Sequence, residues 1–190
     1  MRSSALALLA LLAWSPALVS AQTLNMSVSG DAVRIRAPGW SFLDAESLAR
    51  LKDGRSVRVE VVMMALAAPG RAPSATVRRV CSLSYDLWEE RFAVAVAGAG
   101  AASISHLTSA AAEAWCVEQM AMPIASLRTL NDLRFWIRLE CRILDGDGAP
   151  DPDEGAGLTL ERIIDALSRR KRHEPPARAI DGGPFRLPTR

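Results

Sequence analysis

Two long stretches of this chain alternate apolar and polar residues with period two. In "ATVRRVCSLSYDLW", Val77, Cys81, Leu83, Tyr85 and Leu87 share one parity, and Arg78, Ser82, Ser84 and Asp86 share the other. In "LRFWIRLECRIL", Leu133, Phe135, Ile137, Leu139, Cys141 and Ile143 alternate with Arg134, Trp136, Arg138, Glu140 and Arg142. Successive side chains of a strand point to opposite faces, so each stretch predicts a strand buried on one side only. Long one-sided strands need a second layer against their apolar face.

The other segments supply candidates for that layer. "LNMSVSGDAVRIRAPG" reads as two short strands around a Gly30-Asp31 turn, the second carrying Val33 and Ile35. In "SFLDAESLARLKDG", Asp44 can cap a short helix bearing Leu48 and Leu51, and Gly54 can end it. "SVRVEVVMMALAA" is a strand whose second half is apolar on both faces. "RFAVAVAG" alternates again, with Phe92, Val94 and Val96 in phase. The joined run "SYDLWEERF" therefore predicts an antiparallel hairpin with Tyr85 and Leu87 inward on one arm and Phe92 and Val94 on the other. Glu89-Glu90 is poor two-residue turn chemistry, which predicts a longer or bulged connection.

"ASISHLTSAAAEAWCVEQMA" is expected to be the main helix. At about 100° per residue, Ile104, Leu107, Ala111, Ala114 and Val117 form its apolar stripe, with Cys116 roughly opposite Leu107. Pro123 would stop it. A further helix is expected in "LTLERIIDALSRRK", with Leu160, Ile163, Ile164 and Leu167 on its apolar face. Hairpins and meanders dominate, and no βαβ alternation is visible. The fold class this predicts is α+β: an antiparallel β-sheet or open β-sandwich with covering helices.

The N-terminus "MRSSALALLALLAWSPALVSAQ" pairs a basic start with a short apolar core and small residues before Gln22. That pattern is a secretory signal peptide over residues 1–21, too short for a membrane span. The chain is then exported, periplasmic or extracellular. Residues 22–172 are expected to form a single α+β domain. Residues 173–190 are read as an extended Pro-rich tail whose "PFRL" can return as an edge strand, with Pro184 at its start. The net charge of +2 gives no reason to expect nucleic acid. No later segment has the apolar length of a transmembrane span.

Several of these stretches together carry a family likeness. "RIRAPGWSFLDAESLARLKDGRSVRVEVVMMAL", "RRVCSLSYDLWEERFAV", "LTSAAAEAWCVEQM" and "FWIRLECRILD" resemble, over residues 24–145, the exported bacterial domain-of-unknown-function family 4390. Cys81 stands where that family carries an aromatic residue. After Asp145 this chain has an acidic loop and a helix pattern in place of the family's Pro-containing segment. The resemblance implies an exported, β-rich domain of the cell envelope with an accessory role near sensing kinases. It implies no catalytic residues.

Candidate sites are few. The two histidines, His106 and His173, have no Gly-x-Ser-x-Gly beside them. On one helix, His106 and Cys116 would stand about 15 Å apart, too far for a dyad. Tyr85, Asp86, Glu89 and Glu90 form a polar hairpin cluster that could serve an envelope enzyme or a small-ligand binder if it were desolvated. Asp145, Asp147, Asp151 and Asp153 offer oxygen ligands to Ca2+, although the spacing fails the helix-loop-helix calcium pattern at Ala149 and Ala156. No other cofactor is expected. Arg169, Arg170, Lys171 and Arg172 complement a helix C-terminus or dock peripherally to anionic lipid. Arg134, Trp136, Arg138 and Arg142, together with Trp88, form a candidate face for an unidentified envelope protein. Cys81 and Cys141 could bond if their strands are neighbours in register, but two reduced thiols packed as small hydrophobes are favoured, and Cys116 is the odd thiol under either reading. A non-catalytic, partner-binding domain is the reading these features favour.

Overall fold

The computed structural model describes residues 23–98, 100–130, 133–144 and 177–188. Nine strands form two antiparallel sheets among these residues, with helices between them, and neither sheet closes into a barrel. The α+β expectation is met.

The larger sheet is built around β3 (Val57–Leu66), which pairs with β4 (Pro73–Asp86) on one side and β8 (Phe135–Leu144) on the other. β5 (Arg91–Val96) and β6 (Ala102–Leu107) extend it beyond β4, and β9 (Arg178–Phe185) closes the far edge against β8. The register matches inward residues to inward residues: Val59 lies opposite Cys81 and Ile143, and Met63 opposite Val77 and Leu139. A one-residue slip would turn the apolar set of a strand to water, so alternation fixes register as well as face.

The smaller sheet contains β1 (Asn25–Ser29), β2 (Ala32–Arg36) and β7 (Ala121–Pro123), in that order. Gly30 adopts φ 62° at the β1–β2 turn, a conformation costly to a residue with a Cβ. Helix α1 (Ala45–Lys52), helix α2 (Ser109–Glu118) and a 3-10 helix over Ile124–Leu130 complete the layer. Val33, Ile35, Leu51, Ala112, Val117, Met122 and Leu127 join the inner face of the larger sheet in one buried cluster.

Three local expectations are corrected. The predicted main helix begins only at Ser109. Residues 102–107 are β6, and Thr108 caps α2 by accepting the Ala111 N–H at 3.3 Å. An alanine-rich run has almost no periodic apolar signal, and counting from Ile104 and Leu107 set its phase on strand residues. The buried face is in fact Ala112, Glu113, Cys116 and Val117, so Cys116 points inward. Leu87 does not pack inward; it lies in the β4–β5 turn and is exposed. The C-terminal strand starts at Arg178, inside the predicted linker, and Ile180 pairs with Leu139 and is buried. Gly182 permits this docking, because a Cβ there would collide with Leu24.

Asp44 caps α1 as its sequence position predicts, accepting the Ser47 N–H at 2.8 Å. That backbone bond, with the Ser47 hydroxyl and more weakly Arg178, holds the Asp44 carboxyl below its ordinary value of 3.8. A folded-state value below the unfolded one means the contribution is complete above pH 3.8 and lost as pH falls through the folded value. Asp44→Ala should cost about 1 kcal/mol at neutral pH, and Asp44→Asn much less. Urea midpoints measured down a pH series should bring wild type and Asp44→Ala together in acid; a gap that persists there would contradict the capping role.

Candidate functional site

The hairpin that carries the polar cluster is present. Tyr85 pairs with Phe92, their ring centroids 4.8 Å apart, and Asp86 pairs with Arg91. Residues 87–90 form the connection, longer than a two-residue turn, with Glu90 at φ 52°. Asp86 Oδ1 accepts the N–H groups of Glu89 at 3.0 Å and Trp88 at 2.8 Å. Those two bonds, Glu89 first, pull the Asp86 carboxyl down from its ordinary range. Asp86 is thus a turn-former in water, not a desolvated acid. Trp88 is 96% exposed at the tip.

Glu89 has a partner the sequence reading missed. Its Oε2 lies 2.8 Å from His106 Nε2, and His106 Nδ1 lies 2.8 Å from the Ser105 hydroxyl. The cause is a register shift between β5 and β6: Phe92 faces Leu107, but Val94 faces Ile104. The extra length on β6 and φ 63° at His106 swing the imidazole toward the hairpin tip. With His106 misplaced on a helix, this chain of contacts could not be foreseen. The His106 and Glu89 side chains are 68% and 53% exposed, so water competes for both.

Beside Ser105 lies a cleft of about 330 Å³ on the outer face of β4, β5 and β6. Ser82, Ser84, Ala93, Ala95, Ser103 and Ser105 line it. None of these side chains extends beyond one heavy atom past Cα and Cβ, so the sheet surface sinks there. A second groove, about 320 Å³, runs between Trp40 and α2 with Glu113 in its lining.

Glu113 is the other residue the sequence reading passed over. It is 4% exposed, and its Oε1 accepts three bonds: Ser41 Oγ at 2.9 Å, Phe42 N–H at 2.9 Å and Leu43 N–H at 2.6 Å. A lone acid within "SAAAEAWCV" was the available clue, since its neighbours cannot solvate it. The bonds fasten α2 to the segment that leads into α1.

The Arg/Trp face is divided. Trp136, Arg138 and Arg142 lie on the outer face of β8, and Arg134 precedes that strand and is exposed. Trp136 pairs with Leu66, which pairs in turn with Pro73. Trp88 follows Asp86 at the other end of β4. At about 3.3 Å per residue the two tryptophans stand on the order of 40 Å apart, so they do not form one patch. The arginines are interleaved with acids: Arg138 Nε lies 3.3 Å from Asp181 Oδ1 and 3.5 Å from Glu140 Oε1, and Arg78 Nη1 lies 3.6 Å from Glu60 Oε1. Between them runs an apolar strip of Val62, Met64, Leu66, Val80 and Trp136. Val62 and Leu66 are only 8% and 5% exposed, yet neither belongs to the main core cluster. Neighbouring long side chains shelter them.

The condition for a Cys81–Cys141 bond, neighbouring strands, is not met. All three cysteines are buried free thiols. β3 lies between β4 and β8, which separates Cys81 and Cys141 by two strand spacings, roughly 10 Å, beyond the Cα reach of a disulfide.

Asp145, Asp147, Asp151 and Asp153 lie outside the described residues, as do Arg169, Arg170, Lys171 and Arg172. Among the described residues no group of three His, Cys, Asp or Glu side chains could hold a metal ion, and no helix is long and apolar enough to cross a membrane. No protein-family model, curated protein or solved structure matches this chain.

Replacing Glu113 tests the staple. Glu113→Ala strands two buried backbone N–H groups and should cost about 3 kcal/mol, whereas Glu113→Gln keeps an acceptor oxygen and should cost about half as much. Chemical denaturation reads both; equal midpoints for Ala and wild type would remove the staple from the account.

Proposed function

We propose that this chain is an exported, non-catalytic accessory domain of the bacterial cell envelope that binds a protein partner through the outer face of the larger sheet. The observation that carries this reading is the strip of Val62, Met64, Leu66, Val80 and Trp136, apolar yet separate from the core. Val62 and Leu66 are already covered by this chain, but Met64, Val80 and Trp136 are half-buried, and such apolar groups edged by paired charges have the anatomy of a binding surface: they supply desolvation energy and the rim supplies register. The predicted signal peptide and the family resemblance support the envelope as its location. Because Arg138 and Arg78 already face acids of this chain, the complementary partner is apolar at its centre with mixed charge around it, rather than uniformly acidic.

An affinity capture from native envelope extract tests this, with the Trp136→Ala, Arg138→Glu double substitution as control. Wild type should retain a discrete partner and the double variant should lose it at least tenfold, while circular dichroism stays unchanged. Equal capture by both would contradict the assignment of the face.

A second reading has its own observation. The Glu89–His106–Ser105 contacts border the serine-lined cleft. Their exposure suits reversible binding of a small polar solute better than covalent catalysis, which needs a water-excluded site. Titrating small hydroxylated and anionic solutes while following the His106 imidazole resonances tests it. A saturable shift that Glu89→Gln weakens is the expected result, and resonances unmoved by every solute would end this reading.

A further inference from the structure

Glu113 fastens α2 with only half of its carboxylate. Oε1 takes all three bonds, from the Ser41 hydroxyl and from the N–H groups of Phe42 and Leu43. The second oxygen, Oε2, has no hydrogen-bond partner among the described residues, and it is not sealed from solvent. The residue as a whole is 4% exposed, and it lines the groove of about 320 Å³ between Trp40 and α2. A buried acid therefore turns one free acceptor toward a cleft.

The groove around that oxygen is fixed and mostly apolar. Residues 37–40 turn back on themselves, with the Trp40 N–H donating to the Ala37 carbonyl at 3.2 Å and Gly39 at φ 71°. Trp40 is buried, its ring 5.8 Å from that of Phe42, so this wall is packed from behind. On the other side α2 presents Ala110 and Ala114, both exposed and too short to fill the space. Arg36 and Glu118 also line the groove, and Arg36 Nε lies 3.0 Å from Glu118 Oε1, so those two charges cancel. Glu113 is left as the unbalanced charge of the lining. Arg178, the other cation close to this segment, donates to the Ser41 carbonyl at 3.3 Å and stands outside the lining.

The free oxygen of a sheltered carboxylate pairs best with an N–H donor that carries positive charge. A metal ion would need several such ligands, and no group of three acids, histidines or cysteines stands together among the described residues. An anion would meet the Glu113 charge. Alanine and tryptophan walls suit hydrocarbon, and the volume is at the small end of ligand sites. We propose that this groove binds a small primary ammonium compound with an apolar body. Glu113 Oε2 accepts from its N–H, Oε1 stays on the 41–43 segment, and Trp40, Ala110 and Ala114 cover the hydrocarbon. The site shares no residue with the outer strip, so it does not depend on the partner-binding reading.

The test titrates phenethylamine into the 15N-labelled full chain at neutral pH, with phenethyl alcohol as the uncharged probe of like shape. Saturable shifts of the Ser41, Ala110 and Ala114 amides are expected with the amine, and about tenfold or more weaker binding of the alcohol. Glu113→Gln gives its amide oxygen to the 41–43 segment and turns an NH2 donor toward the groove. It should weaken the amine about tenfold or more while circular dichroism stays unchanged. Ala114→Arg, at an exposed position, should abolish binding by putting the chain's own cation into the groove. Absence of saturable shifts at these amides, or equal affinity for amine and alcohol, would overturn the proposal on wild type alone, even if Glu113→Gln failed to fold. Undiminished amine binding by a folded Glu113→Gln or Ala114→Arg chain would overturn it as well.

Discussion

The inner side chains of β3 impose the main constraint on this molecule. Val57, Val59, Val61, Met63 and Ala65 are essentially inaccessible to water, and β4 and β8 flank them with matching apolar residues. An antiparallel sheet with one such face must be covered on that face alone. The smaller sheet, α1, α2 and the 3-10 helix provide the cover, and each contributes residues to the same cluster. Alanines on α2 let it approach closely, but they give it little apolar grip of its own. Glu113 makes up the difference through its three bonds to the 41–43 segment.

What the inner face does not need, the outer face is free to use. Its two halves differ in side-chain size. Over β4, β5 and β6 small residues leave a cleft, and over β3 and β8 longer ones build a strip of apolar groups edged by paired arginines. The ion pairs there are partly exposed and contribute little each to stability. Arg78 stands opposite Val62 and Arg138 opposite Met64 in the register, and the pairs hold both arginines at the margin of the apolar strip. A partner that brought its own apolar surface would displace water from the half-buried Met64, Val80 and Trp136 without having to neutralise a large uncompensated charge.

The strands were legible because period two survives over long runs. Val77 to Tyr85 and Phe135 to Ile143 can be placed on the correct face from alternation alone, and Asp44 announces its helix by cap chemistry. α2 was less legible. Its alanines carry no phase, so the helical spacing of Ile104 and Leu107 is the only apolar signal there, and both belong to a strand. The Glu89–His106 contact was hidden by that error and by the β5–β6 register shift, which no local pattern records. Strand order was hidden as well. Period two says that Cys81 and Cys141 both face inward, but only pairing reveals that β3 stands between them. Arg138 shows the same limit, since its neighbour Asp181 comes from β9, distant in sequence.

Site-specific photo-crosslinking in intact cells addresses the central claim most directly. A photoreactive phenylalanine derivative at Met64, within the outer strip, is compared with the same residue at Glu46, exposed on α1. The account predicts a discrete protein adduct from position 64 and none from position 46. Adducts from position 46 alone, or none from either in cells that export the chain, would contradict a partner-binding role for the outer face.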